Sequence, residues 1–213
     1  MMTAIPDARR AVLVAASRLL SYPDRASWAL LPEIAASLRE YRDSDSAGCS
    51  DAVELLALVA ERLHTGDGDG ADREARYVAT FDFHEPASLY LTAHELGDSR
   101  RRGQALIELR ALLRASGFEE TGDELPDYLP LLLEFLAHAP AEAPADVIQA
   151  LEQRLAAVCA QIQDSLDAAS PYRDVFVALL SMLPEPEGTD PKRLETRREQ
   201  ADTEAMPYPL HYD

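Results

Sequence analysis

The sequence offers little sulfur chemistry: its two cysteines, Cys49 and Cys159, stand far apart and outside any CxxC or Cys/His spacing. That excludes a structural zinc site and a disulfide framework, and it makes the cytoplasm the expected compartment. Long hydrophobic runs are missing too. With no stretch of about 18 uncharged apolar residues, no transmembrane segment is expected. The opening "MMTAIPDARRAVLVAASRLL" resembles a signal peptide only superficially, because Asp7 precedes the arginines, Arg18 interrupts the apolar run and no small-residue cleavage site follows. An amphipathic first helix, with Val12, Leu13, Ala16, Leu19 and Leu20 on one side, accounts for it better. Positive charge is scarce as well: 20 Lys and Arg against 38 Asp and Glu give a formal net charge of −18. Such a chain repels nucleic acid phosphates and anionic lipid, so no nucleic acid partner and no membrane insertion are expected, whereas a basic partner is favoured.

Catalytic and phosphate-binding patterns are also absent. "GDGDGADRE" has glycines but places aspartates where a phosphate cradle needs converging backbone N–H groups, and it lacks the full ligand run of a calcium loop. It reads as an acidic linker. His64, His84, His94, His138 and His211 contain no HExxH and no i, i+4 pair; surface or helix-end positions are expected for them. Ser88 and Ser99 fall at expected helix starts, where capping explains them without any activating histidine and acid. The reading is of a protein that is not an enzyme and carries no cofactor or metal.

What the chain does have is helical periodicity. Apolar residues recur at three and four positions among Ala, Leu, Glu and Arg, all strong helix formers. Helices are expected over 7–21, 25–41, 51–64, 71–82, 86–96, 99–116, 128–138, 145–168 and 172–182. The linkers "YRDSDSAGCS", "HTGDGDGADRE" and "HAPAEAPAD" are too short to separate domains. The expectation is a single compact all-α domain over 1–183, followed by a Pro- and charge-rich tail over 184–213 that is loosely ordered and whose "MPYPLHYD" can dock on the domain or on a partner.

One segment is unusual: "ELPDYLPLLLEF", Glu124 to Phe135, opens a very apolar helix with a rigid, polar turn. If Asp127 is the N-cap, Pro130 falls at N3, where a missing N–H costs little, and the carboxylate caps Leu129 N–H. Asp127 then faces outward beside Tyr128, with acceptor capacity to spare. On that reading Asp127→Asn weakens partner binding more than it lowers stability.

Together with "YVATFDF" (Tyr77 to Phe83), "ASLYLT" (Ala87 to Thr92) and "GDSRRRGQAL" (Gly97 to Leu106), this segment forms an ordered block that resembles the NarJ type of redox-enzyme maturation chaperone, within the wider group of chaperones for molybdenum oxidoreductases. The resemblance implies an all-helical, non-enzymatic, cytoplasmic chaperone. Its partner would be the N-terminal segment of the apo catalytic subunit of respiratory nitrate reductase, held while the molybdenum cofactor is inserted. Two departures stand out. His84-Glu85-Pro86 replaces a more basic approach to "ASLYLT", and Tyr128 stands where more distant members carry a histidine after the loop aspartate.

The expected mechanism is helix-in-groove recognition of a basic, amphipathic client segment. Leu89, Tyr90, Tyr128 and Leu129 supply apolar surface, and Asp82, Glu85, Glu124 and Asp127 meet positive charge at the rim. Tyr77 and Phe81 are expected in the core. Two other classes stay open at this point, an acidic α-helical scaffold for an unrelated basic partner and a cofactor- or nucleotide-handling factor, as does a homodimer.

Overall fold

The computed structural model describes residues 7–43, 50–66, 70–118, 124–140 and 143–185. The described residues form ten α-helices, one 3-10 turn and no strand, which is the all-α fold expected. The expected tail, apart from Pro184 and Glu185, and parts of all three linkers lie outside the described residues.

Helix α1 (Asp7–Leu20) places Val12, Leu13, Ala16, Leu19 and Leu20 in the core, the stripe that its periodicity predicts. It packs against α8 (Leu129–His138), whose Leu132, Leu133, Phe135 and Leu136 are all buried. A helix that is apolar nearly all round has to sit inside. Burying each such side chain contributes about 1.5–3 kcal/mol, so the α1–α8 pair is the centre around which the rest assembles. A hydrogen bond fixes its register: Ser17 Oγ donates to the Pro130 carbonyl, 2.8 Å away in the buried interface. Around this pair lie α3 (Leu31–Asp43), α4 (Ser50–Thr65) and α10 (Pro171–Leu180), each in contact with α1.

The expected helix over 25–41 is instead two, α2 (Arg25–Ala29) and α3. Pro32 is the cause. It has no N–H to give the Trp28 carbonyl, so the chain closes α2 with a tighter bond from Leu30 N–H to the Ser27 and Trp28 carbonyls. The expected helix over 86–96 also divides. Glu85–Ala87 is a 3-10 turn, Tyr90 is extended, and α6 covers only Leu91–Leu96. Gly97, at φ +55°, ends α6 in a conformation that only glycine adopts without strain.

Helix α5 (Gly70–Phe81) leads into the 3-10 turn, α7 (Arg101–Ala115) follows α6 and packs on it, and α9 (Ala145–Ser165) packs on α10, α6 and the 3-10 turn. Arg154 of α9 clamps Glu95 of α6 with two nearly parallel hydrogen bonds of 2.8 and 2.7 Å. That fork geometry is the strong form of an ion pair, and it holds the short α6 against a long neighbour.

Candidate functional site

Two irregular segments meet beside α6. Residues 88–90 and 125–129 lie antiparallel, with Leu91 N–H donating to the Asp127 carbonyl at 2.9 Å and Leu129 N–H to the Leu89 carbonyl at 2.7 Å. The bridge pairs Tyr90 with Tyr128 and leaves their rings 5.5 Å apart. Tyr90 is thus extended because its neighbours are hydrogen-bonded across the bridge.

Asp127 is not where the sequence places it. It does not cap α8: Tyr128 is the N-cap, it makes no side-chain capping bond, and Pro130 falls at N2 rather than N3. Leu129 N–H, the bond expected for the carboxylate, goes to Leu89 instead. The Asp127 side chain points inward, 0% exposed, and its Oδ2 accepts from Thr92 N–H at 3.1 Å and from the Thr92 hydroxyl. Thr92 is the second residue of α6, so this carboxylate caps a helix remote in sequence. The Thr92 oxygen in turn accepts from Arg102 Nε at 3.2 Å, and Arg102 Nη2 lies 3.7 Å from Oδ2. Asp127 is therefore a knot joining three segments. Its Oδ1 is buried and has no hydrogen-bond partner among the described residues.

In front of this knot is a tyrosine network. The Tyr77 hydroxyl lies 2.7 Å from the Leu20 carbonyl and 3.1 Å from the Tyr128 hydroxyl. The Tyr128 hydroxyl lies 3.5 Å from the same carbonyl, so the two phenols share their protons among the Leu20 carbonyl and each other. Tyr77 also touches the rings of Tyr22, Phe81 and Tyr172. Together with Tyr90 they make a continuous aromatic band from buried core to surface.

Carboxylates fringe that band. Tyr90 Oη donates to Glu124 Oε2 at 3.0 Å, and Tyr22 Oη to Glu74 Oε2 at 3.1 Å. Burial first, then the Glu124 carboxylate, holds the Tyr90 phenol well above its ordinary pKa. Burial likewise raises Tyr128, helped by the negative charges of Glu124 and Asp82. Both phenols remain donors at neutral pH.

The site residues named from sequence divide accordingly. Tyr90, Tyr128 and Glu124 come together at the surface, with Asp82 within electrostatic reach. Glu85 is exposed on the 3-10 turn, which packs on α9 and α5. Asp127 and Leu129 are fully buried behind them. Tyr77 and Phe81 are core, as expected. Sequence reasoning misses Thr92 and Arg102, although both lie in quoted motifs, because nothing local announces a carboxylate 35 and 25 positions away. It also misses Phe83, which stands 85% exposed next to Asp82. Its signal is position, just beyond the last periodic residue of α5. His94 lies in the last turn of α6, a helix-end position of the kind expected, but it is buried and donates Nε2–H to the Ser88 carbonyl at 2.7 Å. Ser88 thus contributes its carbonyl and not a cap, whereas Ser99 Oγ does accept from Arg101 N–H. Among the described residues no cluster of three or more His, Cys, Asp or Glu side chains is arranged to hold a metal ion, and no helix is long and apolar enough to cross a membrane.

Comparison with known proteins agrees with the block of motifs. Residues 42–181 match the family model described as nitrate reductase delta subunit. The nitrate reductase molybdenum cofactor assembly chaperone NarJ of Escherichia coli K12 is 33% identical over 170 residues, covering 80% of this chain and 68% of that protein. The probable chaperone of the same name in Bacillus subtilis is 34% identical over 119 residues, 56% of this chain and 60% of its own length. A nitrate reductase-like protein, NarX, of Mycobacterium tuberculosis is 30% identical over 161 residues, 71% of this chain but 24% of that protein.

Proposed function

The chain belongs to the nitrate reductase delta subunit family, and from that premise we propose that it is a cytoplasmic assembly chaperone that binds the N-terminal segment of the apo catalytic subunit of nitrate reductase and supports molybdenum cofactor insertion. It works by binding and not by catalysis. The observation that carries the reading is the acid-fringed tyrosine pair. Tyr90 and Tyr128, half-buried, present ring surface, with the Tyr90 hydroxyl on Glu124 and the Tyr128 hydroxyl turned in toward Tyr77, a combination suited to a partner with an apolar face. Glu124 and Asp82 set negative charge beside them, and Phe83 adds exposed apolar area.

A basic amphipathic helix fits such a face. Its apolar stripe covers the rings, at about 25 cal/mol per Å² of apolar area removed from water, while its Lys and Arg residues meet the carboxylates. Asp127, Leu129, Thr92 and Arg102 do not touch the client on this reading. They hold the 88–90 and 125–129 segments at the spacing that presents the tyrosines.

The test is calorimetric titration of the purified protein with a peptide copying the start of the nitrate reductase catalytic subunit, beside Glu124→Gln and Tyr90→Ala variants. Saturable binding that both variants weaken is the expected result. Unchanged affinity in both would remove this face from the mechanism, and no binding at all would remove the peptide.

A further inference from the structure

Helices α1 and α3 leave between them a cleft of about 400 Å³. Ala11, Val14, Ile34 and Leu38 line it, and Leu30 and Tyr41 stand at its edge, 46% and 39% exposed. Large apolar side chains left this open beside a concave apolar wall mark a surface that something covers.

Its charge says what kind of something. Arg10 and Arg18 line the cleft against a single carboxylate, Glu33, so in a chain of net charge −18 the lining itself carries no excess of negative charge. Arg10 Nε is spent on the Ala137 carbonyl at 3.0 Å, and Arg18 lies 3.3 Å from Glu134 with half of its side chain still exposed. A basic segment of the kind proposed for the tyrosine face is disfavoured here. An apolar segment with carboxylates is favoured.

The chain itself contains such a segment. Residues 199–213, outside the described part, carry Glu199, Asp202, Glu204 and Asp213 and no Lys or Arg, together with Met206, Tyr208, Leu210 and Tyr212. The stretch from Glu185 to Met206 spans up to roughly 70 Å when extended, whereas a domain of this size has a radius of gyration of about 16 Å. Reach is no obstacle. Pro207 and Pro209 restrict the chain before it binds and so lower the entropy lost on docking. We propose that the α1–α3 cleft is the docking site of the chain's own residues 199–213, with Tyr208 and Leu210 seated among the apolar side chains and the acids facing Arg10 and Arg18. This does not depend on the client reading.

Ser37 is exposed in the cleft lining on α3, so the full chain carrying the photo-reactive p-benzoylphenylalanine in its place retains its core. Irradiation followed by peptide mass spectrometry should give crosslinks within one chain to residues 204–213, in a yield independent of protein concentration. The same probe at Ile107, on the exposed face of α7, should give none to that segment. The double substitution Tyr208→Asp and Leu210→Asp should lower the Ser37 yield by roughly tenfold or more, as loss of two buried anchors does. Those two positions lie outside the helical domain, and circular dichroism checks that it stays folded. Crosslinks only between two chains would assign the cleft to a second copy. Crosslinks only on adding the client peptide would assign it to the client. Crosslinks to α1 and α3 alone would show that nothing docks there. Each of these overturns the proposal.

Discussion

At the residue scale, the position of Asp127 reverses what a lone aspartate in a Pro-Asp-Tyr turn suggests. Its carboxylate is buried, tied to Thr92 and Arg102, so its first contribution is to stability. Asp127→Asn keeps one oxygen for Thr92 N–H but removes the charge opposite Arg102 and sets an amide where Oδ1 already has no partner. It should lower unfolding free energy by about 1–3 kcal/mol, read as a shift in urea midpoint with unchanged slope. Arg102→Met should cost a similar amount by leaving the buried carboxylate uncompensated. Glu124→Gln is the contrasting case. The side chain is exposed, so stability should move by no more than about 0.5 kcal/mol, and the loss should appear in affinity for a basic peptide. Equal stability losses for Asp127→Asn and Glu124→Gln would contradict this division of labour between supporting and contacting residues.

At the scale of elements, Pro130 shows why a proline opens the most buried helix. Position N2 of α8 has no intrahelical acceptor for its N–H, and no side chain caps this helix. Because the residue is buried, any N–H placed there would be cut off from water as well. Pro130→Ala should therefore destabilise by about 1–2 kcal/mol, despite alanine's better helix propensity. A neutral or stabilising outcome in chemical denaturation would show that the site admits water or another acceptor. The same helix marks how far sequence reading reaches. The stripes of α1 and α8 are legible because burial there follows from periodicity within one element. The break at Leu30 is written in Pro32, which hides inside an otherwise continuous helical pattern, whereas the short α6 follows from the bridge that holds Tyr90 extended. Asp127 stands out in the sequence, yet local rules give it the wrong partner. Capping rules look two or three residues ahead in the chain, whereas its true donor comes from another helix through a bridge between two irregular segments. Such pairings are set by tertiary packing, so no local pattern reports them.

For the molecule as a whole, titration and charge act at different ends of the pH and salt scales. Tyr172 is pushed up to about 12 by burial, and Tyr77 and Tyr128 are raised for the same first reason; the buried Cys159 is also pushed up to about 12. These groups are neutral when protonated, and their folded pKa lies above the unfolded one. Their contribution is thus complete below the unfolded values of about 9 to 10 and is lost as pH rises toward 12, each group giving up about 1.4 kcal/mol for every pH unit between its two pKa values. Melting temperature should stay level from pH 7 to about 9 and fall steeply above it, and a flat profile to pH 11 would mean that these side chains are not sealed. Salt tests the other end. An acidic chaperone that draws a basic segment to an acid-fringed face should associate quickly at low ionic strength and more slowly as the Debye length shrinks from about 30 Å at 0.01 M to about 8 Å at 0.15 M. On the proposed reading dissociation should change far less, because the tyrosine rings are uncharged and their burial is not screened. Stopped-flow measurement at the two salt concentrations separates these rates. A drop of roughly tenfold or more in association with a nearly constant dissociation rate places charge in the encounter and apolar area in the grip. If dissociation accelerates by the same factor instead, carboxylates such as Glu124 and Asp82 are the grip, and Tyr90 and Tyr128 only shape the surface around them.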